Sequence, residues 1–166
     1  MTVLTILTAP NDKLIDQALP VSDVSKIQVL IDDLLETLYD TEDGIGLAAT
    51  QVGCSEAVVV IDISENRDEP LVLVNPVITH GEETAKGQEG CLSIPGYYAD
   101  VERFTHVTVE ALDRDGKKLT VTSDEFLAIV MQHEIDHLKG KLFIDYLSPL
   151  KQQMALKKVK KTIKNG

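Results

Sequence analysis

The stretch QHEIDH, residues 132–137, contains the pattern His-Glu-x-x-His. Residues four apart lie on one face of a helix, so His133 and His137 can direct two imidazoles at one metal ion. Glu134 lies beside that face without belonging to it, which is the place of a general base for a metal-activated water. The pattern therefore predicts a catalytic metal centre on a helix. The alternative is a pair of buried histidines that are satisfied by hydrogen bonds.

The residues around this stretch predict the bounds of the helix. Thr122 followed by Glu125 is a helix-start signal, and Lys139 followed by Gly140 is a stop signal. The apolar side chains between them occupy two faces and are Phe126, Leu127, Ile129, Val130, Met131 and Leu138. A helix that is apolar on two sides is buried, so we expect the metal-bearing helix to lie inside the protein.

The chain downstream of the motif offers no third ligand of the kind that many zinc proteases use. It has no glutamate after Glu134 and no histidine after His137. Upstream, Cys91 is the strongest candidate, because a thiolate is a strong ligand and Gly90 lets the backbone turn close to a metal. A disulfide between Cys91 and Cys54 is the alternative, and a cytosolic chain argues against it.

A glycine-rich segment, GIGLAATQVG, occupies residues 44–53. Its glycines allow close approach of the backbone to a ligand. Neither the phosphate-loop pattern nor the dinucleotide-binding pattern is complete, which argues against a nucleotide site. Gln51 is the polar residue in this apolar stretch, and it is either a surface amide or a hydrogen-bond donor aimed at a site.

The length of 166 residues and the hydrophobic content of 43% predict a single domain, residues 1–166, with a full core. No apolar run approaches the length of a membrane span. Residues 1–11 lack the basic start and the long apolar core of a signal peptide. We therefore expect a cytoplasmic monomer that does not span a membrane.

The net charge of −11 is unevenly distributed along the chain. From Lys139 onward, eight lysines accompany a single acid, Asp145, so the rest of the chain carries −18. An acidic body is not typical of a nucleic-acid-binding surface, whereas a basic tail can bind phosphate groups. A lysine-rich C-terminal helix is predicted at about 148–164, with a solvated helix end as the alternative to a binding surface.

Periodicity predicts the remaining elements. A long amphipathic helix follows residues 20–22, and strands are expected at 57–63, 71–74, 77–86, 105–112 and 117–122. The first two strands would pair as a hairpin, and Asn75-Pro76 would end the second. The predicted fold class is α+β, with mostly antiparallel strands wrapped around a central metal-bearing helix and long N-terminal and C-terminal helices.

Three separated stretches resemble the signatures of the bacterial peptide deformylase family. They are GIGLAATQ at 44–51, EGCLS at 89–93 and QHEIDHLKG at 132–140, in the family's order and at its separations. The resemblance covers essentially the whole chain and agrees with Cys91 as the third ligand. It implies an enzyme that removes the formyl group from the N-terminal formyl-methionine of new polypeptides and releases formate.

The resemblance also implies the metal chemistry. Cys91, His133 and His137 would hold one divalent metal, and Glu134 would act as general base and then as acid toward the leaving amine. One thiolate and two imidazoles suit zinc or ferrous iron. The family is associated with Fe²⁺, which Ni²⁺, Co²⁺ or Zn²⁺ can replace.

Further roles follow from the same resemblance. The oxyanion donors would be the side-chain amide of Gln51 and the backbone N–H of Leu92. Gly46 would let the substrate approach, and the peptide would lie extended beside Ile45, Gly46 and Gly90 as an added strand.

The methionine side chain needs an apolar pocket near the metal. Phe126, Ile129 and Val130 lead along the helix to His133 and form the expected wall. Ile45 and the segment around Gly87 and Glu89 would close the pocket by resemblance, and Glu89 and Asp136 would also support the metal ligands from outside.

The chain departs from several relatives at Tyr97 and Tyr98, where they carry an arginine near the site, so the preference for residues beyond methionine is open. The basic tail resembles a helix that docks ribosomal RNA in bacterial relatives.

The rival functions are a metallopeptidase, which His-Glu-x-x-His alone would suggest, and an inactive metal-binding or ribosome-binding protein. Intact Glu134 and Gln51 argue against the inactive protein, because metal storage needs neither.

Overall fold

The structure is a computed structural model that describes residues 2–165 of the chain. This part of the chain forms one five-stranded antiparallel sheet in the order β1-β2-β3-β4-β5, together with three α-helices and four short 3₁₀ helices. The strands are β1 Gly46–Ala48, β2 Val58–Ile61, β3 Leu71–Cys91, β4 Ile94–Leu112 and β5 Lys118–Ser123. The helices are α1 Gln28–Asp40, α2 Phe126–Leu138 and α3 Pro149–Asn165. The predicted α+β class is confirmed.

The inner strand β2 shows how the sheet is covered. Val59 and Ile61 face one way and pack against α2, whereas Val58 and Val60 face the other way and pack against α1. Side chains alternate along a strand, so a strand covered on both faces reads as a continuous apolar run. The sheet therefore lies between the two helices, and α2 is buried as predicted.

The ribbon formed by β3 and β4 is longer than the sequence indicated. The predicted pairing of β2 with β3 is confirmed, but the prediction that Asn75-Pro76 ends the strand is wrong. The ladder shifts register between Val74 and Val77, and Asn75 takes a φ of 51° at this bulge. A bulge leaves a residue unpaired, so the missing N–H of Pro76 costs no ladder bond and the strand continues.

The start of α2 also differs from the prediction. Thr122 and Glu125 do not form a capping box, because Thr122 lies in β5 and its hydroxyl is 3.1 Å from that of Thr108. Ser123 accepts a hydrogen bond from the backbone N–H of Glu125 instead. The predicted stop is confirmed, since Gly140 has a φ of 77° and its N–H donates to the carbonyl of His137.

Helix α3 packs across the end of the ribbon. Ala155 and Val159 lie in a cluster with Ile94, Val101 and Phe143. The six lysines of this helix are exposed, and they are Lys151, Lys157, Lys158, Lys160, Lys161 and Lys164. Within residues 2–165, no helix has both the length and the apolar content needed to cross a membrane.

Candidate active site

Helix α2 and the tip of the β3–β4 ribbon bring the three predicted ligands together. The ribbon turns at residues 92–93, so Cys91 lies at its tip and pairs with Ile94. The Sγ atom of Cys91 is 3.3 Å from Nε2 of His137, and the ring centroids of His133 and His137 are 5.0 Å apart. One donor atom from each of the three residues lies within 4.8 Å of the other two.

This donor set fits a divalent metal ion. A tetrahedral ion with bonds of about 2.3 Å to sulfur and about 2.0 Å to nitrogen would bring those atoms to about 3.5 Å from each other, close to the separation of Cys91 and His137. His133 uses Nδ1 for a hydrogen bond to Glu89, which leaves Nε2 as the free donor. Burial lowers the pKa of His137, and the nearby His133 and Arg103 act in the same direction, so its imidazole is neutral as a ligand must be.

A buried network of charges supports these ligands from behind. Arg103 donates two hydrogen bonds to the carboxylate of Glu89, at 2.8 and 2.9 Å, and one to Asp136 at 2.5 Å. Asp136 also accepts a hydrogen bond from the hydroxyl of Tyr146 at 2.7 Å. Burial would raise the pKa of Glu89, but the hydrogen bonds from Arg103 and His133 outweigh it and hold that pKa below its usual value. The carboxylate is therefore ionised beside His133.

Sequence reasoning missed Arg103 as a member of this network. The structure buries this side chain at 5% exposure. Arginine is seldom buried without carboxylate partners. The sequence shows that α2 and β3 carry more acidic than basic residues, which predicts a basic partner but does not identify which arginine it is.

Glu134 lies on the wall of the site and has the features of a proton carrier. It is 4% exposed, and its Oε1 has no hydrogen-bond partner among the described residues. Burial raises its pKa to about 7. A general base works best when its pKa lies near the working pH. A buried oxygen without a partner is also where a water or a substrate group can bind.

Gly46 makes room for Glu134. A Cβ atom at residue 46 would lie 2.5 Å from Oε2 of Glu134 and 3.0 Å from its Cγ and Cδ. The sequence had suggested that this glycine admits the substrate. The contacts show that it makes room for the carboxylate of Glu134, because any side chain at 46 would push Glu134 away.

Gln51 is buried at 1% exposure, so the surface-amide interpretation is wrong. Its Oε1 accepts a hydrogen bond from the N–H of Ala48 at 2.9 Å. This bond turns Nε2 toward Ser93 Oγ at 3.1 Å and toward Cys91 Sγ at 3.6 Å. The amide N–H₂ group therefore points at the ligand cluster. Ser93, which the sequence reasoning did not assign a role, holds it there.

A cavity of about 380 Å³ opens beside Cys91 and Glu134. The six residues predicted to bind substrate all line it, and they are Ile45, Glu89, Gly90, Phe126, Ile129 and Val130. Gly46, Leu92 and Tyr98 line it as well. The carboxylate of Glu89 bonds Arg103 and His133, so its main contact is with a metal-ligand candidate, His133, although the residue also lines the cavity.

Comparisons with known proteins agree with this geometry. The sequence profile of the family described as polypeptide deformylase matches residues 3–153. Peptide deformylase 2 of Vibrio vulnificus is 71% identical over 161 residues, which cover 97% of this chain and 96% of the relative. A peptide deformylase structure from Legionella pneumophila has a TM-score of 0.94 at 45% identity and covers 98% of this chain and 96% of its own.

A second solved structure has the same fold. The peptide deformylase from Ehrlichia chaffeensis, solved in complex with actinonin, has a TM-score of 0.92 at 38% identity over 98% of both chains. Sequence and fold thus agree over nearly the full length. The chain belongs to the polypeptide deformylase family, metal-dependent hydrolases that remove the N-terminal formyl group from new polypeptides.

Proposed function

We propose that this chain removes the formyl group of N-terminal formyl-methionine with Glu134 as the group that moves the proton. The observation that carries the proposal is the Cys91–His133–His137 cluster beside a buried carboxylate with an unpartnered oxygen. A divalent metal held by these ligands supplies Lewis acidity, which makes water more acidic and polarises a carbonyl. We propose Fe²⁺ as the native ion, with Ni²⁺, Co²⁺ and Zn²⁺ as substitutes.

Glu134 takes the proton of the attacking water and passes it to the nitrogen of the leaving amine. Its raised pKa of about 7 supports both halves of this transfer, because the carboxylate accepts and releases a proton near neutral pH. The formyl carbon keeps the water oxygen and loses the amine nitrogen, so the products are formate and the free N-terminus.

Gln51 and the N–H of Leu92 stabilise the negative charge that develops on the formyl oxygen. The amide of Gln51 is held by Ala48 and Ser93 before substrate binds, so little reorganisation is needed. Leu92 follows Cys91 at the tip of the ribbon and lines the cavity. Its backbone N–H therefore belongs to the segment nearest the ligand sulfur.

The rest of the cavity binds the methionine side chain specifically and binds the following residues through their backbone, whatever their side chains. Phe126, Ile129 and Val130 form one apolar wall that ends at His133, which suits an unbranched thioether side chain. Beyond methionine, the peptide adds as a strand beside β1. The carbonyl of Ile45 accepts from the N–H of Asp62 at 2.8 Å, and because the bonding direction alternates along a strand, the peptide groups of Gly46 face away from β2.

The test is formate release from formyl-Met-Ala-Ser under anaerobic conditions, with metal content determined on each protein. We expect release by the wild type and a loss of about 100-fold or more in Glu134→Ala with metal retained. Glu82→Ala, which removes an exposed glutamate of the ribbon, is the matched control and should keep full activity. Cleavage of an internal bond in a blocked peptide, without formate release, would instead identify a metallopeptidase.

The exposed lysines of α3 support a partner beyond the nascent peptide. We propose that this helix docks on ribosomal RNA while the single domain, residues 1–166, works as a cytoplasmic monomer. The double variant Lys157→Glu, Lys161→Glu should weaken ribosome binding and reduce its salt dependence, because fewer phosphates are neutralised. The control is the double variant Lys117→Glu, Lys118→Glu, which makes the same change of charge at two exposed lysines outside α3, at the start of β5. Equal loss of binding in both variants would contradict docking through α3.

A further inference from the structure

The loop between β2 and β3, residues 62–69, contains a residue in an uncommon conformation. Arg67 has a φ of 55°, in the left-handed region that favours glycine. Its backbone N–H donates to the carbonyl of Ser64 at 3.3 Å, which closes a turn. Residues other than glycine keep this conformation only where their surroundings hold it, and such residues concentrate at functional sites. We refer to residues 62–69 as the Arg67 loop.

The guanidinium of Arg67 binds three backbone carbonyls outside its own loop. Nη1 donates to Thr41 at 2.9 Å, and Nη2 donates to Leu38 at 2.9 Å and to Gly44 at 3.1 Å. Leu38 lies in the last turn of α1, where the helix dipole favours a cation. Gly44 lies two residues before Gly46. One side chain therefore ties the end of α1 to the segment that leads into the active-site strand β1.

Asp62 makes a second connection from the same loop. Its N–H donates to the carbonyl of Ile45, and its carboxylate accepts from the hydroxyl of Tyr39 at 2.6 Å. The carboxylate also accepts backbone bonds from Ser64 at 2.9 Å and from Glu69 at 3.1 Å. The loop thus has a fixed shape of its own, and it holds residues 44 and 45 through groups that do not line the cavity.

We propose that Arg67 is a positioning residue for peptide binding. It fixes residues 44–46 so that the peptide groups of Gly46 face the extended substrate. This inference rests on the proposed addition of the peptide as a strand beside β1. Arg67 does not line the cavity. Its loss should therefore weaken binding of the peptide beyond methionine and leave the chemistry at the formyl group unchanged.

Arg67→Gly is the informative variant, because glycine accepts a φ of 55° and the change removes the guanidinium without adding backbone strain. The measurements are kcat and KM for formyl-Met-Ala-Ser and for formyl-methionine, with metal content. We expect KM for the tripeptide to rise about tenfold while kcat and the KM for formyl-methionine stay within about twofold. Guanidinium chloride at millimolar concentration should lower the raised KM.

Arg114→Ala is the matched control. Arg114 binds the other end of α1, through Asp32 at 2.9 Å and the side chain of Gln28, and should leave both KM values unchanged. Arg67→Lys reaches fewer carbonyls and should give an intermediate KM for the tripeptide. It decides the question if Arg67→Gly does not fold.

Three results would overturn the inference, and they are distinguishable from failure of the proposed peptide strand. Equal changes for both substrates, or a fall in kcat at constant KM, would show that Arg67 acts on stability or chemistry. A wild type that prefers the tripeptide, with the same preference in Arg67→Gly, would refute the role of Arg67 alone. A wild type without any preference for the tripeptide would refute strand addition itself.

Discussion

The Nδ1 atom of His133 lies 2.9 Å from Oε1 of Glu89, and Arg103 also donates a hydrogen bond to this oxygen at 2.9 Å. The pair is buried, with side-chain exposures of 10% and 6%. An ionised acceptor at Nδ1 fixes the tautomer and makes Nε2 a stronger ligand. The metal site thus depends on a charge that β3 supplies to α2.

Glu89→Gln should weaken metal binding. The amide keeps an acceptor for His133 but loses the negative charge, so metal affinity should fall about 10-fold to 100-fold. Competition with a chelator, using Ni²⁺, measures this. Glu82→Gln removes a charge from an exposed pair with His80 on the same strand and should leave affinity unchanged. Equal affinity in both variants would show that the Glu89 charge does not tune the ligand.

Gly46→Ala should lower kcat by about 100-fold with metal retained, because the new Cβ displaces the carboxylate of Glu134 and small misplacements of reacting groups are costly. Thermal unfolding should change little, since the displaced group is the end of a flexible side chain. Gly87→Ala is the matched control on the ribbon, where a Cβ would meet nothing within 4 Å. Full activity in Gly46→Ala would show that Glu134 tolerates the shift.

Much of the site was predictable because its chemistry is local in sequence. The spacing of His133 and His137 fixes their shared face, and the absence of later ligands points upstream to Cys91. The C-terminal end of α2 follows from Gly140, which adopts the left-handed conformation that commonly ends a helix. The shared face and the helix end depend on residues within one turn, where physical constraints act directly, whereas Cys91 follows from the lack of ligands in the rest of the downstream chain.

Other features depend on contacts between distant segments and could not be predicted. Arg103 is 14 residues from Glu89 and 33 from Asp136, and composition does not reveal that it joins them. The bulge at Asn75 was also missed, because its side chain bonds the backbone of Val21, 54 residues away. Within a sheet, proline is confined to edge strands, first positions and bulges, and the bulge here is held by the distant contact with Val21.

Gln51→Met should lower the rate of formate release by about 100-fold or more, because the nearly isosteric side chain cannot donate to the oxyanion. Metal content should not change, since Gln51 is not a ligand. The control is Gln28→Met on α1, which removes an amide that donates to the carbonyls of Val24 and Arg114. This variant should be less stable but should keep the wild-type rate of formate release. An active Gln51→Met protein would place the oxyanion donors elsewhere.

Asp62→Asn should lower the free energy of unfolding at pH 7 by roughly 1 to 2 kcal/mol, because a charged acceptor is lost. Burial would raise the pKa of Asp62, but hydrogen bonds from Ser64 and Tyr39 outweigh it and lower that pKa. A carboxyl with a lowered pKa stabilises the fold above its unfolded pKa of about 3.9 and loses that effect as the pH falls further. Denaturant titrations from pH 7 to pH 2 should therefore converge for wild type and variant. Asp68→Asn, an exposed control, should match wild type throughout.

Tyr98→Ala should change the preference for residues beyond methionine and leave formyl-methionine chemistry intact. The ring is 61% exposed at the mouth of the cavity and lies on Gly90, where a Cβ would come within 2.5 Å of it. It can therefore contact an apolar substrate side chain, and the ratio of kcat/KM for formyl-Met-Ala-Leu to that for formyl-Met-Ala-Ser should fall about threefold to tenfold. Phe104 lies on Gly81 in the same way but outside the cavity, so Phe104→Ala should leave the ratio unchanged. If the ratio is the same in all three proteins, the tyrosine that stands where several relatives carry an arginine does not select substrate.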